Sequence, residues 1–100
     1  MIIVTGTVTL SSAAGCASLK EAMQAQIAAS RAEAGCIEYT YGIDVVEPEK
    51  FRVLEYWDSW EALEAHGKAP HLNAWHAALD TVGVVGRDLI ATEDAGKRVL

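Results

Sequence analysis

Apolar and polar residues alternate from Ile2 to Leu10: Ile2, Val4, Gly6, Val8 and Leu10 fall on one side, and Ile3, Thr5, Thr7 and Thr9 on the other. A two-residue period of this kind predicts a strand with one buried face. Ser11 to Gly15 reads as a small-residue connection. From near Ser18 to Ala34 the period lengthens, with Leu19, Met23 and Ile27 recurring down one side and Lys20, Glu21, Gln24, Arg31 and Glu33 opposite. That pattern predicts an amphipathic helix opened by a Ser18–Glu21 capping box and stopped by left-handed Gly35. Alternation returns from Cys36 to Val46, where Ile37, Tyr39, Tyr41 and Ile43 share a face. The turn Glu47-Pro48-Glu49-Lys50 sends the chain back as a strand from Phe51 to Trp57. Phe51, Val53, Glu55 and Trp57 form one face of it, and Arg52, Leu54 and Tyr56 the other. Asp58 or Ser59 caps a helix that ends at Gly67. Pro70 opens a second, short one with Leu72, Trp75 and Leu79 on one face. Val82 to Thr92 reads as the last strand, loosened by Gly83 and Gly86. Residues 1–93 make the domain, and residues 94–100 a tail of mixed character.

Strand, helix, strand, strand, helix, strand is the order of an α+β fold, a ferredoxin-like split βαβ with helices on one face of an antiparallel sheet. Several strands nevertheless carry apolar residues on both faces: Ile2 beside Ile3, Val53 beside Leu54, Val84 beside Val85. Two helical segments cover one face only, and a sheet open to water carries a polar side. A second copy of the chain is expected over the other face, giving a homodimer whose sheets meet face to face as a dimeric α/β barrel.

Composition sharpens this picture. At 100 residues, 51% of them apolar, one domain has little interior for so much hydrophobic surface, which again points to a subunit interface. A net charge of −6 speaks against nucleic acid and against an anionic membrane surface. The amino terminus has no basic n-region and is broken by threonines, so neither a signal peptide nor a membrane span is expected, and the location is cytoplasmic by default. Cys16 and Cys36 lack metal-ligand spacing.

The chemistry-bearing residues concentrate between Phe51 and His76, which hold all three tryptophans, all three histidines and the only phenylalanine. Trp57 falls at a strand–helix junction, a common pocket edge. His66 closes a helix whose dipole favours a cation there. His71 sits in the first turn after Pro70, where a helix amino terminus disfavours the charged ring and a neutral imidazole could accept a proton. Tyr39 and Tyr41 share a strand face, as a hydroxyl donor to substrate or as a packing pair. Glu55, among apolar neighbours, requires a partner, expected from Arg87 or a second subunit.

The segments AGCIEYTY, the Pro48 turn, FRVLEYWDSWEALEAH and APHLNAW together resemble the antibiotic biosynthesis monooxygenase domain family, especially its short quinol-monooxygenase-like members. Shared features are Gly-Cys before the second strand, E-x-W-x-S ending the third and A-H-x-x-x-x-H after it. The resemblance implies a dimeric barrel with one pocket per subunit. It implies oxidation of a small aromatic, phenolic or quinol substrate by O2 with no metal or organic cofactor. Catalytic roles would fall to His71 as general base, His66 and Trp57, and substrate contacts to Tyr39, Tyr41, Trp57, Leu72 and Trp75. The alternative it implies is a non-catalytic dimeric module that binds aromatics or haem, or serves a stress response. His76 falls where haem-degrading members carry their axial ligand. Two positions depart from the pattern. The strand-one asparagine of the haem degraders is Gly6 or Thr7 here, and the strand-three asparagine of the polyketide oxygenases is Val53.

Overall fold

In the computed structural model, which describes residues 1–100, the first strand is the hub of the sheet. β1 (Ile2–Leu10) lies between β3 (Lys50–Trp57) and β4 (Val84–Glu93), and β2 (Cys36–Ile43) extends the sheet beyond β3. All pairings are antiparallel, in the order β2-β3-β1-β4. Ile2 lies opposite Trp57, Val4 opposite Glu55 and Val8 opposite Phe51, so the two predicted apolar faces coincide. α1 (Ala13–Ser18), α2 (Lys20–Arg31), α3 (Trp60–Gly67) and α4 (His71–Val82) supply the second layer. Cys16, Leu19, Met23, Trp75 and Leu79 from these helices join the strand residues in one core of 13 buried apolar side chains. This is the expected ferredoxin-like α+β arrangement. Gly6 is required in the middle of β1, because a Cβ there would lie 1.8 Å from the Asp88 carbonyl oxygen of β4.

Several boundaries differ from the pattern-based expectation, among them the end of α2 at Arg31 and not Ala34. Ser12, not Ser18, opens the first helical segment by accepting from the Gly15 amide at 2.9 Å. The alanines of the connection favour helix, and Cys16 is fully buried by it. Ser18 spends its hydroxyl on the Gly15 carbonyl at 2.6 Å, so no capping box forms, and the axis breaks at Leu19 before α2 begins. β2 stops at Ile43 because the Asp44 carboxylate accepts from the Val46 and Glu47 amides, both at 2.8 Å, closing a side-chain turn. A bulge between Cys36 and Glu38 offsets the start of β2, leaving Ile37 exposed while Tyr39 is buried. At the other end, Val82 remains in α4, and Gly83 with φ of 98° makes the switch into β4.

No helix packs on the outer face of the sheet. There Leu54, Thr5 and Ile90 form one cross-strand row and Tyr56, Ile3 and Thr92 the next. Ile90 is 60% exposed, and Val45 and Val46 stand open at the β2–β3 turn. Residues beyond Glu93 have no regular structure, although Asp94 pairs with the terminal amine of Met1 at 3.0 Å.

Candidate active site

Between the inner face of the sheet and α4 lies a cavity of about 190 Å³. Tyr39, Tyr41, Phe51 and Val53 form its sheet wall, Leu72, Trp75 and Leu79 its helical wall, and Glu55 and His66 its polar end. His76 and Arg87 also line it and are exposed, as expected for its mouth. Tyr41 stacks on Trp75 with ring centroids 5.5 Å apart and 27° between planes. Phe51 meets both rings at 5.1 and 6.0 Å. Three aromatic residues on three elements thus meet where the sheet and helical walls join, an arrangement stabilising beyond simple area burial.

Trp57 and Glu55 are fixed together. Both point inward from β3, two residues apart, and the Trp57 indole N–H donates to Glu55 Oε1 at 2.9 Å. Trp57 is 0% exposed and stands behind the cavity wall rather than in it. Its ring lies against the His66 imidazole, centroids 4.7 Å apart. Glu55 does not pair with Arg87, as its apolar setting led one to expect. Its partners are the indole and His66, whose Nε2 is 4.0 Å from Oε1. Burial pushes the Glu55 carboxyl up from its ordinary range, the Trp57 hydrogen bond and His66 pull it back, and Glu33 adds to the rise.

His66 reaches this place because Ser59 caps α3, accepting from the Ala62 amide at 3.1 Å, and the ring projects from the last turn. Its Nδ1 is 2.5 Å from Glu33 Oε2. His71, in the first turn of α4, places Nε2 3.0 Å from the same oxygen and Nδ1 2.8 Å from Gln26 Oε1. Both ring nitrogens of His71 thus face side-chain oxygens that hold the ring in place. His71 also stands outside the cavity wall, facing a groove between α2 and α4.

The buried amide of Gln26 joins this group to the tyrosines. Its Nε2 donates to the Tyr39 hydroxyl at 3.3 Å, and the Tyr39 and Tyr41 hydroxyls are 2.7 Å apart. Burial raises both phenols above their ordinary value, with Tyr39 adding to the rise at Tyr41. They serve as hydrogen-bond donors and not as bases at neutral pH. The result is a polar chain from the cavity outward: Tyr41, Tyr39, Gln26, His71, Glu33, His66, with Glu55 closing it on the cavity side. Of the residues singled out in the sequence, Tyr39, Tyr41, His66, Leu72, Trp75 and His76 line the cavity, while Trp57 and His71 stand behind it. Gln26 and Glu33 were not foreseen. Their only signal was a polar residue on the inner face of α2 and an acidic one just before Gly35.

The sequence profile described as antibiotic biosynthesis monooxygenase matches residues 1–78. Among solved structures, a candidate antibiotic biosynthesis monooxygenase from Deinococcus radiodurans is 30% identical, with a TM-score of 0.85 over 100% of this chain and 97% of that one. A protein from Pseudomonas aeruginosa is 23% identical, TM-score 0.81, covering 95% of this chain and 94% of its own. A candidate antibiotic biosynthesis monooxygenase from Nitrosomonas europaea, 14% identical with a TM-score of 0.84 over 96% of this chain and 100% of that one, shares the fold. Comparison with curated proteins finds no match.

Proposed function

The chain belongs to the antibiotic biosynthesis monooxygenase family, and on that premise we propose that it oxidises a small phenolic or quinol substrate with O2, without a cofactor. The observation that carries this reading is the cavity, an aromatic slot with one buried carboxylate at its end. Its size supports a single-ring substrate. An apolar cavity of about 150 Å³ already holds benzene, so about 190 Å³ accepts a single-ring hydroquinone. A fused polycycle or a haem requires far more room.

In this reading the ring lies between the wall of Tyr41 and Trp75 and the apolar side chains of β3. Glu55, its carboxyl raised from its ordinary range by burial, takes the substrate proton. His66 and Glu33 carry it onward, and His71 and Gln26 hold Glu33 and the tyrosines in place. The phenolate then reduces O2 directly. One oxygen atom enters the ring, and the other leaves as water with two substrate hydrogens. The protein contributes orientation, a dry slot and the proton path.

The active form is a cytoplasmic homodimer closed over the outer faces of two sheets. The rows through Thr5 and Ile3 are the contact, with the Val45–Val46 turn reaching across. Support for this comes from the apolar character of a face that no helix covers.

Oxygen uptake over a panel of single-ring hydroquinones, with 18O2 to label the product, tests the enzyme claim. Consumption above autoxidation, with one labelled atom per product, is the expected result. Tight binding of a hydroquinone without uptake on any member of the panel replaces the oxygenase with a non-catalytic aromatic-binding module.

A further inference from the structure

Behind the cavity, three donor atoms from three separate elements converge. Glu33 Oε2 comes from the turn after α2, His66 Nδ1 from the last turn of α3 and His71 Nε2 from the first turn of α4, and all lie within 4.8 Å of one another. The carboxylate oxygen is 2.5 Å from one imidazole nitrogen and 3.0 Å from the other. Two imidazoles and one carboxylate suit first-row divalent ions of borderline softness, zinc and cobalt among them. Bonds of about 2.0–2.1 Å in a tetrahedral site place neighbouring donors about 3.3 Å apart. Binding therefore requires the carboxylate oxygen to draw back from both imidazoles and the two nitrogens, within 4.8 Å of each other, to close toward that spacing.

A second observation supports the same conclusion. A ligating histidine is normally held by an acceptor on its other ring nitrogen. Here the nitrogen of His71 that faces away from Glu33 meets Gln26 Oε1 at 2.8 Å, and the corresponding nitrogen of His66 faces Glu55 Oε1 at 4.0 Å. Gln26 is itself buried and tied to Tyr39. His71 therefore has the outer partner a ligating imidazole needs, and His66 has a carboxylate close to its outer nitrogen though beyond hydrogen-bond distance. The geometry points to a binding site for one divalent transition-metal ion per chain, formed by Glu33, His66 and His71. The site does not rest on the oxygenase reading. If both hold, a bound ion takes the place of the hydrogen bonds that join Glu33 to His66 and His71 and interrupts the path from Glu55.

Titration of the full-length protein with Co2+, followed by visible d–d absorption and by calorimetry, tests the site. One cobalt per chain with a low-symmetry spectrum, displaced by Zn2+, is expected. Glu33→Gln and His71→Gln, both at partly exposed positions, are expected to lower affinity about ten-fold or more. Gln26→Ala, which leaves all three donors in place, weakens it by about ten-fold as well. His76→Ala and Cys36→Ser leave it unchanged. Absence of a cobalt spectrum at millimolar metal overturns the inference. So does a spectrum that persists in Glu33→Gln and His71→Gln, or one that is lost in His76→Ala or Cys36→Ser. A protein inactive on every hydroquinone that still binds cobalt sinks only the oxygenase reading, and an active protein blind to cobalt sinks only this one.

Discussion

Glu55 illustrates how one residue can serve the site at a cost to the fold. Burial raises its carboxyl, so between its ordinary value and its raised one the folded chain holds more protons than the unfolded chain. Stability then falls as pH rises through that window, because ionising the buried group opposes folding. Glu55→Gln keeps an oxygen for the Trp57 indole and removes the charge. Its melting temperature at neutral pH is expected to exceed that of the wild type, with the difference vanishing in acid, while oxygen uptake falls at least about ten-fold, in line with loss of a positioned base. Thermal melts across the pH series and initial rates check both halves. A wild type that gains stability as pH rises through this window contradicts the argument. Trp57→Phe preserves the ring but deletes the donor to a buried carboxylate. The expected loss is about 1–3 kcal/mol in urea unfolding. The rising limb of the pH–rate profile should also move to higher pH, since the indole holds the Glu55 carboxyl down. A purely structural role for the indole predicts the first change without the second.

At the scale of elements, the site is a meeting of helix ends. Glu33 follows α2, His66 ends α3 and His71 begins α4, so the three side chains are only as well placed as the turns that start and stop those helices. Gly35 has φ of 83°, and a Cβ there would lie 2.6 Å from Ala62 and from Asp58 Oδ1, which is how closely α3 approaches the turn that carries Glu33. Ser59 is the cap that sets α3 on its course. Ser59→Ala is expected to cost about 1 kcal/mol of stability. It is also expected to reduce protection of the α3 amides in hydrogen exchange, with the β1 and β3 amides less affected. Equal loss of protection throughout would show that α3 does not open as a separate unit.

For the whole molecule, the question is what covers the outer face. Ile90 is exposed in the same cross-strand row as Leu54, and a lone chain leaves that row in water. Sedimentation equilibrium at micromolar concentration is expected to give twice the 10.7 kDa chain mass. Ile90→Lys, which buries a charge at the proposed contact, should weaken association by about 2 kcal/mol or more, enough to bring monomer into view at the same concentration. A wild-type monomer at that concentration removes the dimer, and the barrel with it.

The sequence by itself determined the four strands, the longer helices and the buried faces of β1 and β3, but neither α1 nor the bulge that exposes Ile37. A period of two in β1 and β3 and a period near four in α2 are direct consequences of backbone geometry, and they require no knowledge of what lies opposite. The family pattern from Gly35 to Trp75 was legible for the same reason, since it sits on those elements in a fixed order. Which polar groups meet was not legible. Glu33, Gln26 and His71 come from positions up to 45 residues apart, and Glu33 and His66 are separated by 33. Their contact depends on how α2, α3 and α4 end against one sheet. His71 was expected as a general base, and Trp57 as a residue lining the cavity. Packing sets His71 between two side-chain oxygens and Trp57 behind Glu55. Periodicity reports the direction of a side chain relative to its own backbone. Its partners, and with them its chemistry, are decided only when separate elements are brought to a shared place.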